Sequence, residues 1–157
     1  MHSNPINIVE KVIEAYGWQF DRYNVQEIAA QIRGQWCQYK MHFVWDQELE
    51  ALIFSSFSDL CIPDYKYPEV IELVSIINHK LWLGHFALNK DLLVPVFRHT
   101  ILLKGVKNMG VELCQDLIDT ALIEWERFYP ALQYVLWSDQ KPYDAYTMAA
   151  FDVVGSA

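Results

Sequence analysis

The segment at residues 36–45 constrains the fold most, because apolar and polar side chains alternate along it with a period of two. Apolar positions are Cys37, Tyr39, Met41, Phe43 and Trp45, and the polar positions between them are Gln38, Lys40 and His42. Successive side chains of a β-strand point to opposite faces, so the segment is predicted to be a half-buried strand. Such a strand requires a sheet and a second layer that covers its apolar side.

Neighbouring segments continue this pattern. Residues 18–23, Glu27–Arg33 and 49–60 are predicted strands, separated by turn-forming residues at Asn24, at Gly34 and at Asp46 with Gln47. We expect an antiparallel meander. Two further strands are predicted at 83–88 and 92–103, joined through a two-residue turn at Asn89 and Lys90. Pro95 cannot donate to a ladder, so it marks an edge, a bulge or the start of its strand.

Helical signals surround these strands. Asn4 and Pro5 begin a first helix and Gly17 ends it. Pro68 opens a second helix, closed by Gly84, whose apolar positions recur at helical spacing: Val70, Leu73, Val74, Ile77 and Leu81. A long helix follows Gly110, with a break or kink at Pro130 and a continuation over residues 131–137, and Pro142 begins a last helix that ends at Gly155.

The order of these elements is helix, four strands, helix, two strands and long helix. It predicts an α+β fold: an antiparallel sheet of about five to six strands with helices packed on one face. With 157 residues, of which 53% are hydrophobic and 20% charged, the chain is predicted to form a single domain over residues 1–157. A core of this size needs neither disulfides nor a structural metal.

Charge and targeting signals narrow the class of protein. The net charge of −8 and the scattered basic residues argue against nucleic acid as a partner. The N-terminus lacks the basic and apolar regions of a signal peptide, and no stretch of about 18 uncharged apolar residues suggests a membrane span. Cys37, Cys61 and Cys114 form no C-x-x-C pair, which is typical of packed thiols in a reducing compartment. We therefore expect a cytoplasmic protein without membrane partners.

Three clusters resemble a known family. They are Asn-His-Lys-Leu-Trp-Leu-Gly-His-Phe at residues 78–86, Val-Phe-Arg-His at 96–99, and Phe-Tyr-Pro-Ala at 128–131 continued by Val-Leu-Trp at 135–137. Together they are similar to the bacterial YbjN-domain family of sensory transduction regulators, whose fold resembles class I type III secretion chaperones. The resemblance runs from about Tyr23 to Gly155. An extra strand at 18–23 and the tail after Pro142 depart from the chaperone core.

The resemblance implies a core of helix, three strands, helix, two strands and helix. It also implies a homodimer, as in the chaperone relatives, and a role in interaction or regulation. It supplies no catalytic residues.

His79, His85 and His99 are the candidate metal ligands. With a two-residue turn at Asn89 and Lys90, Phe86 and His99 share one face of the sheet and His85 points to the other, which excludes a common ion. A three- or five-residue loop would reverse this parity and bring the two histidines together. We expect no metal and no cofactor, and interpret the histidines as packed side chains.

Arg98 is predicted to lie on the same face as His85. There it either forms an ion pair within the chain, which is the interpretation that we favour, or anchors an acidic ligand.

The glycine spacing from Gly105 to Gly110 lacks the Lys and Ser or Thr of a phosphate-binding loop and predicts a loop that leads into a helix. Carboxylate pairs such as Glu48 with Glu50 are interpreted as solvated surface.

Aromatic residues are concentrated around Pro130, in numbers that one helix cannot hide beneath a small sheet: Phe128, Tyr129, Tyr134, Trp137, Tyr143 and Tyr146. Since aromatic residues are enriched at interfaces, some of them are expected to form a groove or a subunit contact.

Two functions remain at this point. The first is a non-enzymatic homodimer that binds a polypeptide through apolar grooves or by strand addition at a sheet edge. Its candidate partner- or ligand-binding residues are Trp82, His85, Phe86, Arg98 and Trp137. The alternative is a small-molecule sensor or enzyme with a pocket near Trp82, His85 and Arg98.

Overall fold

The computed structural model describes residues 4–155 and contains four α-helices and six strands among them. Residues 1–3 and 156–157, which the predicted domain includes, lie outside the described residues. The helices are α1 (Pro5–Tyr16), α2 (Tyr67–Asn78), α3 (Val111–Trp137) and α4 (Pro142–Gly155), and a 3-10 turn at Asp64–Lys66 precedes α2. The strands are β1 (Gln19–Asn24), β2 (Glu27–Arg33), β3 (Gln38–Asp46), β4 (Ala51–Phe57), β5 (His85–Leu88) and β6 (Pro95–Leu102).

The six strands form one antiparallel sheet in the order β1-β2-β3-β4-β6-β5. The first four strands are the expected meander, and the last hairpin adds to it through β6. The helices cover one face of this sheet, so the predicted α+β fold is confirmed. Pro95 is the first residue of β6, one of the positions expected for it, because a strand's first residue need not donate to the ladder.

Pairing register assigns the strand residues to two faces. Across the helix-covered face runs the row Phe20, Ala30, Met41, Ser56, Phe97 and Phe86. Across the opposite face, which we call the open face, runs the adjacent row Asp21, Ala29, His42, Ser55, Arg98 and His85. Residues directly opposite each other in antiparallel strands point to the same side, so these rows define what each face presents.

Aromatic packing between the sheet and α3 forms the centre of the core. Trp125, Phe128 and Phe86 are fully or almost fully buried and lie against one another, with ring centroids 4.2 to 5.8 Å apart. The indole N–H of Trp125 donates to the hydroxyl of the buried Ser56 at 2.9 Å. That bond satisfies a polar group which would otherwise be costly to bury.

Two local predictions were wrong in detail. The second helix, expected to be closed by Gly84, ends at Asn78. The connection between β5 and β6 is not a two-residue turn at Asn89 and Lys90: it spans residues 89–94, where the Asn89 side chain accepts hydrogen bonds from the backbone N–H groups of Asp91 and Leu92. An even number of connecting residues preserves the parity, so His85 and His99 lie on opposite faces as expected.

The expected helical continuation after Pro130 is confirmed, since α3 runs unbroken to Trp137. A proline has no N–H for the carbonyl four residues earlier, here that of Glu126. The indole N–H of Trp36 donates to this carbonyl instead, at 3.3 Å. The β2–β3 turn therefore replaces the hydrogen bond that the proline removes from the helix.

None of the helices within residues 4–155 is both long and apolar enough to cross a membrane.

Candidate interaction surfaces

The open face is the side of the sheet that the helices leave uncovered. Half-exposed apolar side chains occupy its centre: Val44 on β3, Ile53 and Phe57 on β4, and Val96 on β6. None of the four belongs to the hydrophobic core or packs against it. A solvated face of an antiparallel sheet is ordinarily polar, so these four positions depart from the usual pattern.

Sequence reasoning missed this apolar centre. The signal was nevertheless present in the alternating pattern, because Val44 occupies a position where Lys40 and His42 predict polar residues. Apolar residues at alternate positions of neighbouring strands indicate a second buried face, which the interpretation of β3 as half-buried did not consider.

Arg98 and His85 are directly opposite each other on the open face, and both are exposed. The ion pair that we favoured for Arg98 is not found among the described residues. The prediction failed because apolar neighbours in sequence suggested a buried guanidinium, whereas Arg98 points away from the core. It is a solvated cation within reach of a partner that docks on this face.

β5 is an edge strand of the sheet, and a side chain already binds the outer side of its backbone. The side-chain oxygen of Asn78 accepts from the backbone N–H of Phe86, and its side-chain nitrogen donates to the Phe86 carbonyl, both at 2.8 Å. Asn78 therefore occupies the hydrogen-bonding position that an added strand would need. The Phe86 side chain is 1% exposed and leaves a partner no surface, so this candidate binding residue is a core residue.

Trp82 is 74% exposed and borders a groove of about 380 Å³ on the helical side of the molecule. The groove is also lined by His99 and Ile101 of β6 and by Leu113 and Asp116 of α3. Burial, with a smaller contribution from the nearby charge of His85, lowers the pKa of His99 below its ordinary value of 6.5. Trp82 thus shares a groove with His99, whereas His85 and Arg98 lie on the other face of the sheet.

Trp137, at the end of α3, is 64% exposed and borders a second groove of about 310 Å³. Its other lining residues include Trp36, Pro130 and Tyr134. The Trp36 ring stacks at 6.3 Å on Tyr129, whose hydroxyl donates to Asp59. Of the aromatic residues around Pro130, Phe128 and Tyr129 are buried, while Trp137 and Tyr143 are exposed.

A third cleft, of about 280 Å³, lies between α2, α3 and α4, and the sequence did not indicate it. Its walls are mostly apolar, including Ile77, Phe128 and Tyr146, but they also contain the buried carboxyl group of Glu124. Burial raises the pKa of Glu124, and the nearby Arg127, 3.3 Å away, opposes the shift.

Among the described side chains, those of residues 4–150, no three His, Cys, Asp or Glu are grouped as metal ligands would be. Burial raises the pKa of Cys114 to about 12 and also raises that of Cys37, which holds both thiols in the unreactive protonated form. Cys61 is exposed, contrary to the expectation of three packed thiols, because it lies in the loop after β4 and not in a strand.

Comparisons with known proteins agree with the fold. The family model of YbjN, described as "Putative bacterial sensory transduction regulator", matches residues 5–134. The crystal structure of YbjN from E. coli, described as "a putative transcription regulator", is similar with a TM-score of 0.51, over 79% of this chain and 90% of that chain, at 13% identity. At that identity the similarity shows the fold alone. The comparison with curated proteins gave no match.

The matched range differs from the extent inferred from the sequence clusters. It begins before Tyr23, so it includes α1 and β1, and it ends before α4. Because the match covers most of the chain, including the sheet and most of α3, this protein belongs to the YbjN family.

Proposed function

We propose that this protein is a non-enzymatic regulatory module that works as a homodimer and binds a polypeptide partner in the grooves beside Trp82 and Trp137. The observation that carries the proposal is the exposure of these two tryptophans, at 74% and 64%, each beside an apolar groove. Tryptophan is enriched among residues that dominate binding energy at protein interfaces. The family's description as a regulator supports this role.

The shape of the grooves favours a polypeptide over a small molecule. Both grooves are shallow and open along the protein surface, whereas small-molecule sites enclose most of their ligand and aim several polar groups at it. The residues of the alternative pocket are also divided between the two sides of the sheet, with Trp82 on one side and His85 with Arg98 on the other. Strand addition at β5 receives no support, because Asn78 occupies that edge.

The test compares capture of proteins from the native cytosol by the wild type and by Trp82→Ala, Trp137→Ala and Tyr143→Ala. Tyr143 is 67% exposed but does not line either groove, so its variant is the matched control. We expect a protein that binds the wild type and Tyr143→Ala at equal levels and is lost from a tryptophan variant. Equal capture by all variants would contradict the proposal, as would a small molecule retained by the wild type in native mass spectrometry.

A further inference from the structure

We propose that two copies of this chain associate through the open face, sheet against sheet. The two-fold axis lies between the two sheets, runs parallel to the strands and passes over the gap between β3 and β4. The inference rests on the homodimer of the proposed function and adds the surface that forms it. It leaves the grooves beside Trp82 and Trp137, on the helical side, free for a polypeptide.

The first argument is the apolar centre of the face. Val44 and Ile53 are directly opposite each other on β3 and β4, the two middle strands of the sheet. A two-fold axis between these strands places Val44 of each copy over Ile53 of the other. The contact is isologous, since one patch serves both copies and the assembly closes at two. It also removes from water apolar side chains that lie outside the core of the single chain.

The second argument is charge. The whole chain carries a net charge of −8, which would make most of its surface repel a second copy. The charges of the strand residues on the open face cancel, because three carboxylates match three cations. The carboxylates are those of Asp21, Glu27 and Asp46, and the cations are Arg33, Lys40 and Arg98. The acidic surplus therefore lies elsewhere, and this face can approach its own copy.

The third argument is how these charges are distributed. The half of the face formed by β1, β2 and β3 holds all three carboxylates together with Arg33 and Lys40 and is net acidic, whereas the other half carries Arg98 and His85, has no carboxylate and is net basic. An axis parallel to the strands lays each half over the opposite half of the second copy. Asp21 of one copy then faces His85 of the other, and Arg98 lies one strand to the side of that position. Within the described residues neither Asp21 nor Arg98 has an ion-pair partner of its own chain.

The area is sufficient for such a contact. With strands about 4.8 Å apart and a rise of about 3.4 Å per residue, six strands of about seven residues present roughly 700 Å² of flat area, which side chains enlarge. A standard interface takes about 800 Å² from each partner. A sheet that used most of this face would reach that size.

The first experiment measures mass by light scattering during gel filtration. The wild type is expected at twice 18.4 kDa, and Ile53→Lys at 18.4 kDa, because the lysine places a charge in the apolar centre of the contact. Ile123→Lys is the matched control, since Ile123 is 51% exposed on α3, away from the open face, and it is expected to remain dimeric. Circular dichroism and thermal unfolding verify that both variants fold.

The second experiment exchanges charges and does not depend on Ile53. Asp21→Arg and Arg98→Glu are each expected to raise the dimer dissociation constant about tenfold or more, because each places like charges in contact. Mixing the two variants restores opposite charges at both ends of the contact. The mixture should therefore form a heterodimer at wild-type concentrations.

The outcomes separate this inference from the function on which it rests. A wild-type dimer that all these substitutions leave intact would overturn the open face as its interface and leave the proposed homodimer standing. A wild type that stays monomeric at 18.4 kDa would overturn both the homodimer and this interface. If that monomer loses a cytosolic partner only in Ile53→Lys, the face binds a different protein, which also contradicts our inference.

Discussion

The attachment of the β2–β3 turn to α3 provides the sharpest test of the energetics. The hydroxyl of Tyr39, a residue with no exposed surface, donates to one carboxylate oxygen of Glu126 at 3.0 Å. The backbone N–H of Gln35 donates to the other oxygen at 2.5 Å. Burial and the Glu126 charge raise the pKa of Tyr39 well above its ordinary value, so the hydroxyl remains a donor. Gly34 permits this approach, because a Cβ there would overlap the Tyr39 ring.

The two single substitutions should have unequal effects. Tyr39→Phe removes one hydrogen bond to a charged group but leaves a half-exposed carboxylate that water can solvate, so we expect a loss of about 1.5 kcal/mol in the free energy of unfolding. Glu126→Ala leaves a buried hydroxyl without an acceptor and should cost about 3 kcal/mol. At the size of this domain that loss lowers Tm by about 6 to 12 °C.

The double variant contains no buried hydroxyl, so it should cost about 2 kcal/mol, less than Glu126→Ala alone. The two sites are then coupled by about 2.5 kcal/mol, which urea unfolding followed by tryptophan fluorescence can resolve. Losses that add to within about 0.5 kcal/mol would show that the two residues act independently and would refute this account.

Three further predictions concern other sites. Asn78→Ala should lower the free energy of unfolding by about 2 kcal/mol, because it removes both hydrogen bonds to Phe86. It also frees the backbone edge of β5, so light scattering should detect concentration-dependent aggregation. A variant that is as stable as the wild type and monodisperse would contradict this prediction. The pKa of His99 is lowered on folding, so protons bind the unfolded chain more readily than the folded one. The free energy of unfolding should therefore fall as the pH drops below 6.5. In urea titrations from pH 8 to 5, His99→Gln should reduce that fall. Unchanged pH dependence in His99→Gln would contradict the assignment. The pKa of Glu124 is raised on folding, so ionisation of this carboxyl group above pH 4.5 disfavours the folded state. Glu124→Gln should therefore increase the free energy of unfolding at pH 7, and this increase should disappear below pH 4.5. A decrease at pH 7 would indicate that the contact of Glu124 with Arg127 dominates.

The β-hairpin of β5 and β6 shows which structural features the local sequence pattern can predict and which it cannot. The start of the strand was one of three positions expected for Pro95, and the parity of His85 and His99 was correct although the connecting loop is longer than expected. The parity survived because side chains alternate with a period of two, so any even loop gives the same faces. The loop length itself depends on the side-chain hydrogen bonds of Asn89, which apolar periodicity does not describe.

The candidate surfaces were less predictable. Trp82 and Trp137 were identified as candidates, but the groove beside each is formed by residues from other elements, such as His99 and Trp36. Arg98 was assigned to the correct face but expected to have a partner in the chain, because the sequence does not state which face of a sheet remains uncovered. The apolar centre of the open face was missed because β3 was interpreted as half-buried, although Val44 interrupts its polar positions.

By itself, the amino-acid sequence determined the fold class, the order of the elements and, for β3, β5 and β6, the face on which the side chains lie. These properties follow from the local geometry of helices and strands, in which side-chain direction repeats every 3.6 or two residues. Only the tertiary structure decided that one face of the sheet stays bare, that Asn78 closes the β5 edge and that Trp36 completes the hydrogen bonding of α3 at Pro130. Those contacts join residues distant in sequence, and their energy depends on where whole elements pack, which no local pattern specifies.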